Sequence, residues 1–137
     1  MKFVVKEGVL EIAGVDLSDH VTSIDIPLTK DQIDATGLNA GGGHDWVHGL
    51  ADEGCVVEFM NDEDSGSVTD TLFPLYRDED EFEITYQNFQ GAVSDENPSY
   101  RMTAKLFNYD PVNGQVGALS KSQTTFKVIG LVDRVTT

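Results

Sequence analysis

Tyr100-Arg101-Met102-Thr103-Ala104-Lys105-Leu106 alternates apolar and polar side chains at every step, the period of a strand with one face in a core and the other in water. The same period runs through neighbouring stretches. Phe82, Ile84 and Tyr86 oppose Glu81, Glu83, Thr85 and Gln87. Cys55, Val57 and Phe59 oppose Val56, Glu58 and Met60. Thr22, Ile24, Ile26 and Leu28 oppose Ser23 and Asp25, and Phe126 and Val128 alternate with Lys127 and Ile129. Turn chemistry separates the runs at Glu7-Gly8, Asn97-Pro98 and Asp110-Pro-Val-Asn-Gly114. The pattern predicts a mainly β, antiparallel sandwich or barrel forming a single domain over 1–137. One short helix is expected from Ser67, with Ser67 as N-cap, Asp70 in a capping-box-like position and Val68, Leu72 and Leu75 or Tyr76 buried. Pro74 is expected to end or kink it.

The composition is ordinary for a globular chain except in sign. Among 137 residues, 24 Asp and Glu face 9 Lys and Arg, a net charge of -15. Wrapping DNA or docking on anionic lipid needs clustered cations, so both are disfavoured. The charge is uneven: residues 1–97 hold 22 acids and 4 bases, and residues 98–137 hold 2 acids and 5 bases. That asymmetry is either a solvated acidic face or a pair of complementary patches that meet head to tail in an assembly. The lone cysteine, Cys55, excludes an internal disulfide and reads as a small core residue. No stretch has the ~18 apolar residues of a membrane span, and the N-terminal apolar run is too short for a signal peptide.

Residues 35–53 fit neither period and include Gly41-Gly42-Gly43. They read as a long glycine-rich loop, with Leu38, His44, Trp46, Val47 and Leu50 available to order against a partner subunit. His44-Asp45-Trp46-Val47-His48 has the spacing of a zinc-hydrolase motif, in which two imidazoles one helical turn apart hold a metal. The surrounding glycines disfavour that helix, and His20 is the sole other imidazole. Asn61-Asp62-Glu63-Asp64-Ser65-Gly66 resembles a calcium loop, but Leu72 stands where a bidentate Glu is required. Phosphate-binding, dinucleotide and nucleophile-elbow motifs are missing from the sequence. Neither catalytic nor metal-ligating residues are assigned, and no cofactor is expected.

The run Asp16 to Asp34, then Gly49-Leu50 leading into Val57-Glu58-Phe59, then Gly66-Ser-Val-Thr-Asp-Thr-Leu-Phe-Pro-Leu75 resembles the major tail tube protein of long-tailed double-stranded DNA phages. Asn97-Pro-Ser-Tyr100, Tyr109-Asp-Pro and Gly114-Gln-Val-Gly-Ala-Leu119 extend the likeness in order. Glu53-Gly54 departs from it, since related sequences often carry an aromatic and a small residue there.

The resemblance implies a phage tail-tube-like β-sandwich or barrel with one helix, whose copies form six-membered rings stacked into a hollow tube. DNA would pass through without specific binding. A tape measure protein and tail tip and terminator proteins would be further partners, with the chain made in the host cytoplasm and resident in the virion tail. It carries over no catalytic residue. A lumen that passes DNA should not hold it, so acidic or neutral side chains suit the wall. The candidate lumen-facing residues are Asp25, Glu58, Glu81, Glu83, Thr85 and Gln87, with Arg101 and Lys105 on the same face and pairing with acids across strands. The alternative is that this face is the outer solvated surface. A capsid-decorating or minor tail β-protein is the alternative role, and a hydrolase using His44 and His48 a distant third.

Overall fold

A computed structural model describes residues 2–39 and 41–137. The described chain forms β1 (Val9–Ile12), β2 (Val15–Asp16), a 3-10 turn (Ser18–His20), β3 (Val21–Asp25), β4 (Leu28–Asp34), β5 (Trp46–Met60), α1 (Val68–Asp78), β6 (Phe82–Gln87), β7 (Ser99–Asn108), β8 (Lys121–Val128) and β9 (Asp133–Val135). Every pairing is antiparallel, in the order β2-β1-β6-β7-β8-β5-β3, with β4 added to β5 and β9 to β7.

The period-two runs decide which face is buried. Leu10, Ile12, Cys55, Val57, Phe59, Phe82, Ile84, Tyr86, Met102, Ala104, Leu106 and Phe126 all point inward into one cluster. Strands from both ends of the order feed that cluster, so the sheet curls around it, and α1 adds Val68 and Leu72. Phe82 and Phe126 meet edge to face across it, their ring centroids 5.7 Å apart.

Three local expectations are corrected. Pro74 sits inside α1 and does not end it, because burial of Leu72 and partial burial of Leu75 outweigh one missing N–H. The Ser67 hydroxyl does not cap the helix; it donates to Asp62 Oδ2 at 2.9 Å, while Asp70 Oδ2 accepts from the Gly66 N–H at 2.8 Å. Residues 35–53 are not one loop. Trp46 to Glu53 forms the first half of β5 and pairs with β4, so the connection shrinks to 35–45, of which residue 40 lies outside the described residues. The signal was hidden because both faces of that half meet water, leaving no hydrophobic alternation to read.

Candidate functional site

β3 and β4 run on either side of Pro27 along the whole length of β5. β3 lies against the half of β5 that builds the core, whereas β4 and residues 46–53 project beyond it as a two-stranded arm. Every residue of β4 is exposed. Ile33 pairs directly with Val47 and Asp34 with Trp46, and Leu50 remains 81% and Trp46 57% exposed. Gly49 and Leu50 together oppose Asp31, a bulge that explains the glycine: a Cβ there would lie 2.8 Å from Asp31 Cβ.

The arm tip is held by its own side chains. Asp34 Oδ1 accepts from the Thr36 N–H at 2.9 Å and from the Thr36 hydroxyl, Thr36 Oγ1 accepts from the Asp45 N–H at 2.8 Å, and Ala35 N–H donates to Asp45 O at 2.8 Å. His44 Nδ1 lies 3.2 Å from Asp34 Oδ2. The Thr36 hydroxyl first, then the Thr36 N–H and His44, hold the Asp34 carboxyl below its ordinary range.

The second candidate set falls on the outer face of the curled sheet. Register links Thr85 to Arg101, Lys105 to Lys127, Glu58 to Gln123 and Asp25 to Val56, and Glu83 and Gln87 share parity with Thr85. Glu81 immediately precedes β6. Lys121 and Lys127 on β8 belong to the same face; the alternation with Phe126 and Val128 already turned Lys127 outward, whereas Lys121 escaped the sequence reading. Their strand buries Ser122 and Thr124, so its inward side is partly polar and the alternation is masked. The expectation of cross-strand ion pairs at Arg101 and Lys105 is not met: among the described residues no carboxylate lies within 4.0 Å of either, and Arg101 Nε reaches Ser99 Oγ at 3.4 Å. Acids pair instead with β8, Asp52 with Lys127 at 3.8 Å and Glu58 with Lys121 at 4.0 Å. With Glu11, Asp16, Asp25, Glu58 and Glu83 against Arg101, Lys105, Lys121 and Lys127, this face is mixed in sign. The acid excess sits on the arm and on the turns around 62–64 and 78–81.

Catalytic arrangements fare poorly by geometry. Trp46 to His48 is strand, so His44 and His48 lack the helical turn that would bring two imidazoles together. His20 Nε2 meets Asp62 Oδ2 at 2.8 Å and Ser67 Oγ at 3.4 Å, a constellation of the right residue types. A relay needs Ser and Asp on opposite ring nitrogens, and here both approach one, so the cluster works as a clasp joining the 3-10 turn to α1. Asn61, first position of the supposed calcium loop, instead donates to Ser120 Oγ and accepts from the Ser122 hydroxyl, both at 2.9 Å. Burial, with a smaller contribution from the Asp25 charge, pushes the Cys55 thiol up to about 12, which leaves it inert. Glu53 Oε1 accepts from the Val132 N–H at 2.8 Å and Gly54 lies against Phe126 O, so the departure at Glu53-Gly54 closes the seam between arm and body.

Two grooves flank these surfaces. One, of about 800 Å³, runs between the segment Val5 to Gly8 and β3, with Lys6 against Glu7, Asp19 and Asp25. The other, of about 450 Å³, lies between the end of α1 and β7 and is formed by Tyr76, Arg77, Glu79, Lys105, Leu106 and Phe107.

No family model matches the sequence. No curated protein matches it either. Solved structures do. A chain of the virion of a native gene transfer agent particle superposes with a TM-score of 0.78 at 9% identity, over 98% of this chain and 99% of that one. A chain from the tail of an empty gene transfer agent particle, of C6 symmetry, gives 0.69 at 11% identity, covering 85% and 82%. The SPP1 tail tube gives 0.71 at 10% identity, covering 96% and 76%. At such identities the likeness is one of fold, and the fold of this chain is that of tail tube subunits.

Proposed function

We propose that this chain is the repeating subunit of a phage tail tube, a structural protein that assembles as six-membered rings stacked around a passage for DNA. The observation that carries the reading is the near-complete superposition on a gene transfer agent virion chain, spanning 98% of this chain. The C6 symmetry of the gene transfer agent tail supports the ring number. A further support is physical: both outer edges of the β4–β5 arm are unpaired among the described residues, and closing sheets around a ring satisfies such edges.

In this reading residues 1–137 act as one tail tube domain, and the arm, carrying Leu38, His44, Trp46, Val47 and Leu50, is the contact to a neighbouring subunit. The outer sheet face with Asp25, Glu58, Glu81, Glu83, Thr85, Gln87 and Arg101 lines the passage, with Lys105 at its end. Its bases lie together on the adjacent strands β7 and β8, and Glu83 on β6 with Glu58 on β5 and Asp25 on β3 border them on both sides, so carboxylates flank the cations that the phosphate backbone could otherwise grip. The tape measure, tip and terminator proteins are its partners in the virion tail. No helix among the described residues is long and apolar enough to cross a membrane.

Electron microscopy of the purified protein, alone and with tail-tip complex as a seed, tests the reading. Rings or hollow tubes of sixfold symmetry are expected. Knobs that bind capsid shells, with no tubes at any concentration, would assign the chain to capsid decoration instead.

A further inference from the structure

The arm is acidic and apolar, and the body carries one groove of the opposite character. Between residues 31 and 48 the arm holds Asp31, Asp34 and Asp45 and neither lysine nor arginine, beside exposed Ile33, Trp46 and Val47. Among its lining residues the α1–β7 groove has Arg77 and Lys105 against the single acid Glu79, with Asp78, Asp80 and Glu81 on the adjoining turn, and is rimmed by exposed Tyr76 and Phe107. In a chain with 24 acids, these two cations have no carboxylate within 4.0 Å among the described residues. Arg77 instead lies over the Phe73 ring, 5.2 Å from its centroid. Lys105 stands opposite another lysine, Lys127. The larger groove carries one base and three acids, and would repel the arm.

We propose that the outer half of the arm of one copy docks in the α1–β7 groove of the next copy, the pair Ile33 and Val47 resting on Tyr76 and Phe107 while Asp31 and Asp45 face Arg77 and Lys105. The inference rests on the tail tube reading and names the surface that receives the arm. It draws Lys105, at the end of the passage face, into the subunit contact. It also sets the arm, part of the acidic stretch 1–97, against a groove that takes one of its two bases, Lys105, from the basic stretch 98–137.

Two measurements on the full chain decide it. In the first, Val47→Cys and Phe107→Cys proteins are mixed, assembled and treated with a short bismaleimide; buried Cys55 stays silent. A cross-linked dimer containing one of each is expected. In the second, Arg77→Glu with Lys105→Glu lowers sedimentable assembly by at least about tenfold, and adding Asp31→Lys with Asp45→Lys in the same chain restores it. Tubes of the mixed Val47→Cys and Phe107→Cys proteins that lack the cross-link, or tubes that form as well from the Arg77→Glu, Lys105→Glu protein as from wild type, overturn the contact and leave the tube reading intact. Assemblies other than tubes that carry the cross-link uphold the contact and overturn the tube reading. A protein that neither assembles nor cross-links overturns both.

Discussion

Lys105 on β7 stands directly opposite Lys127 on β8, two cations paired across a sheet in a chain whose net charge is -15. Like charges in that position repel, and Lys127 has Asp52 at 3.8 Å whereas Lys105 has no such partner among the described residues. Lys105→Gln is therefore expected to raise the stability of the isolated subunit by about 0.2–0.5 kcal/mol while weakening assembly. Urea unfolding of the monomer, with sedimentation of assembled material, checks both signs. A variant that is less stable and assembles normally would contradict the assignment.

The clasp at His20, Asp62 and Ser67 carries a pH signature. The Asp64 N–H first, then the Ser67 hydroxyl and His20, hold the Asp62 carboxyl below its ordinary range. A carboxyl with a lowered folded value contributes stability above its unfolded value and loses it as pH falls through the folded one. The melting temperature of Asp62→Asn should lie below wild type at pH 6, and the gap should close progressively below about pH 4. A gap that widens on acidification would reverse the assigned sign.

Gly49 is expected to be required by the arm and not by the core. A side chain there would crowd Asp31 Cβ at 2.8 Å and Ile33 Cδ1 at 2.9 Å, so Gly49→Val should cost about 1–3 kcal/mol of local pairing. Amide exchange should accelerate in β4 and in residues 46–53 while β6, β7 and β8 keep their protection. Equal acceleration throughout would show that the arm and body open together.

Between β1 and β2, Ala13 and Gly14 have φ of 52° and 82°, the paired left-handed turn that favours Asn-Gly. Replacing Ala13 by Asn is expected to stabilise the chain by about 0.5–1 kcal/mol, visible as a rise of about 2–4 °C in Tm. An unchanged or lower Tm counts against that turn.

Assembly should improve with moderate salt. Between about 0.01 M and 0.15 M the Debye length shortens from about 30 to 8 Å, which screens repulsion between whole subunits more than contacts at a few ångströms. Sedimentable yield is therefore expected to rise over that range. A steady fall would mean that charge attraction, not subunit repulsion, dominates association.

The strands legible in the sequence are those with one wet and one dry face. Phe82 to Gln87 and Tyr100 to Leu106 were readable because each inward position is apolar, and the outer positions of β6 and β7 came with them. β4 and the first half of β5 were not, since a ribbon in water on both sides imposes no period and the bulge at Gly49 breaks what alternation remains. Lys121, at the start of β8, was missed for the opposite reason: Ser122 and Thr124 are buried where apolar residues mark a strand's inner face.

By itself the sequence determined the class of local structure, the residues that share a face and the acid excess, because period, turn chemistry and charge are properties of neighbouring residues. Only the tertiary structure decided that Arg77, fixed on α1, shares a groove with Lys105 and Phe107, or that His20 clasps Asp62. Those relationships join residues 28 to 42 positions apart, and the register of the pairings between them is set by the whole buried cluster, not by any stretch of chain. The arm is the clearest case: its composition is local, but its freedom to meet another copy exists because the core ends at Gly54 and the ribbon continues beyond it.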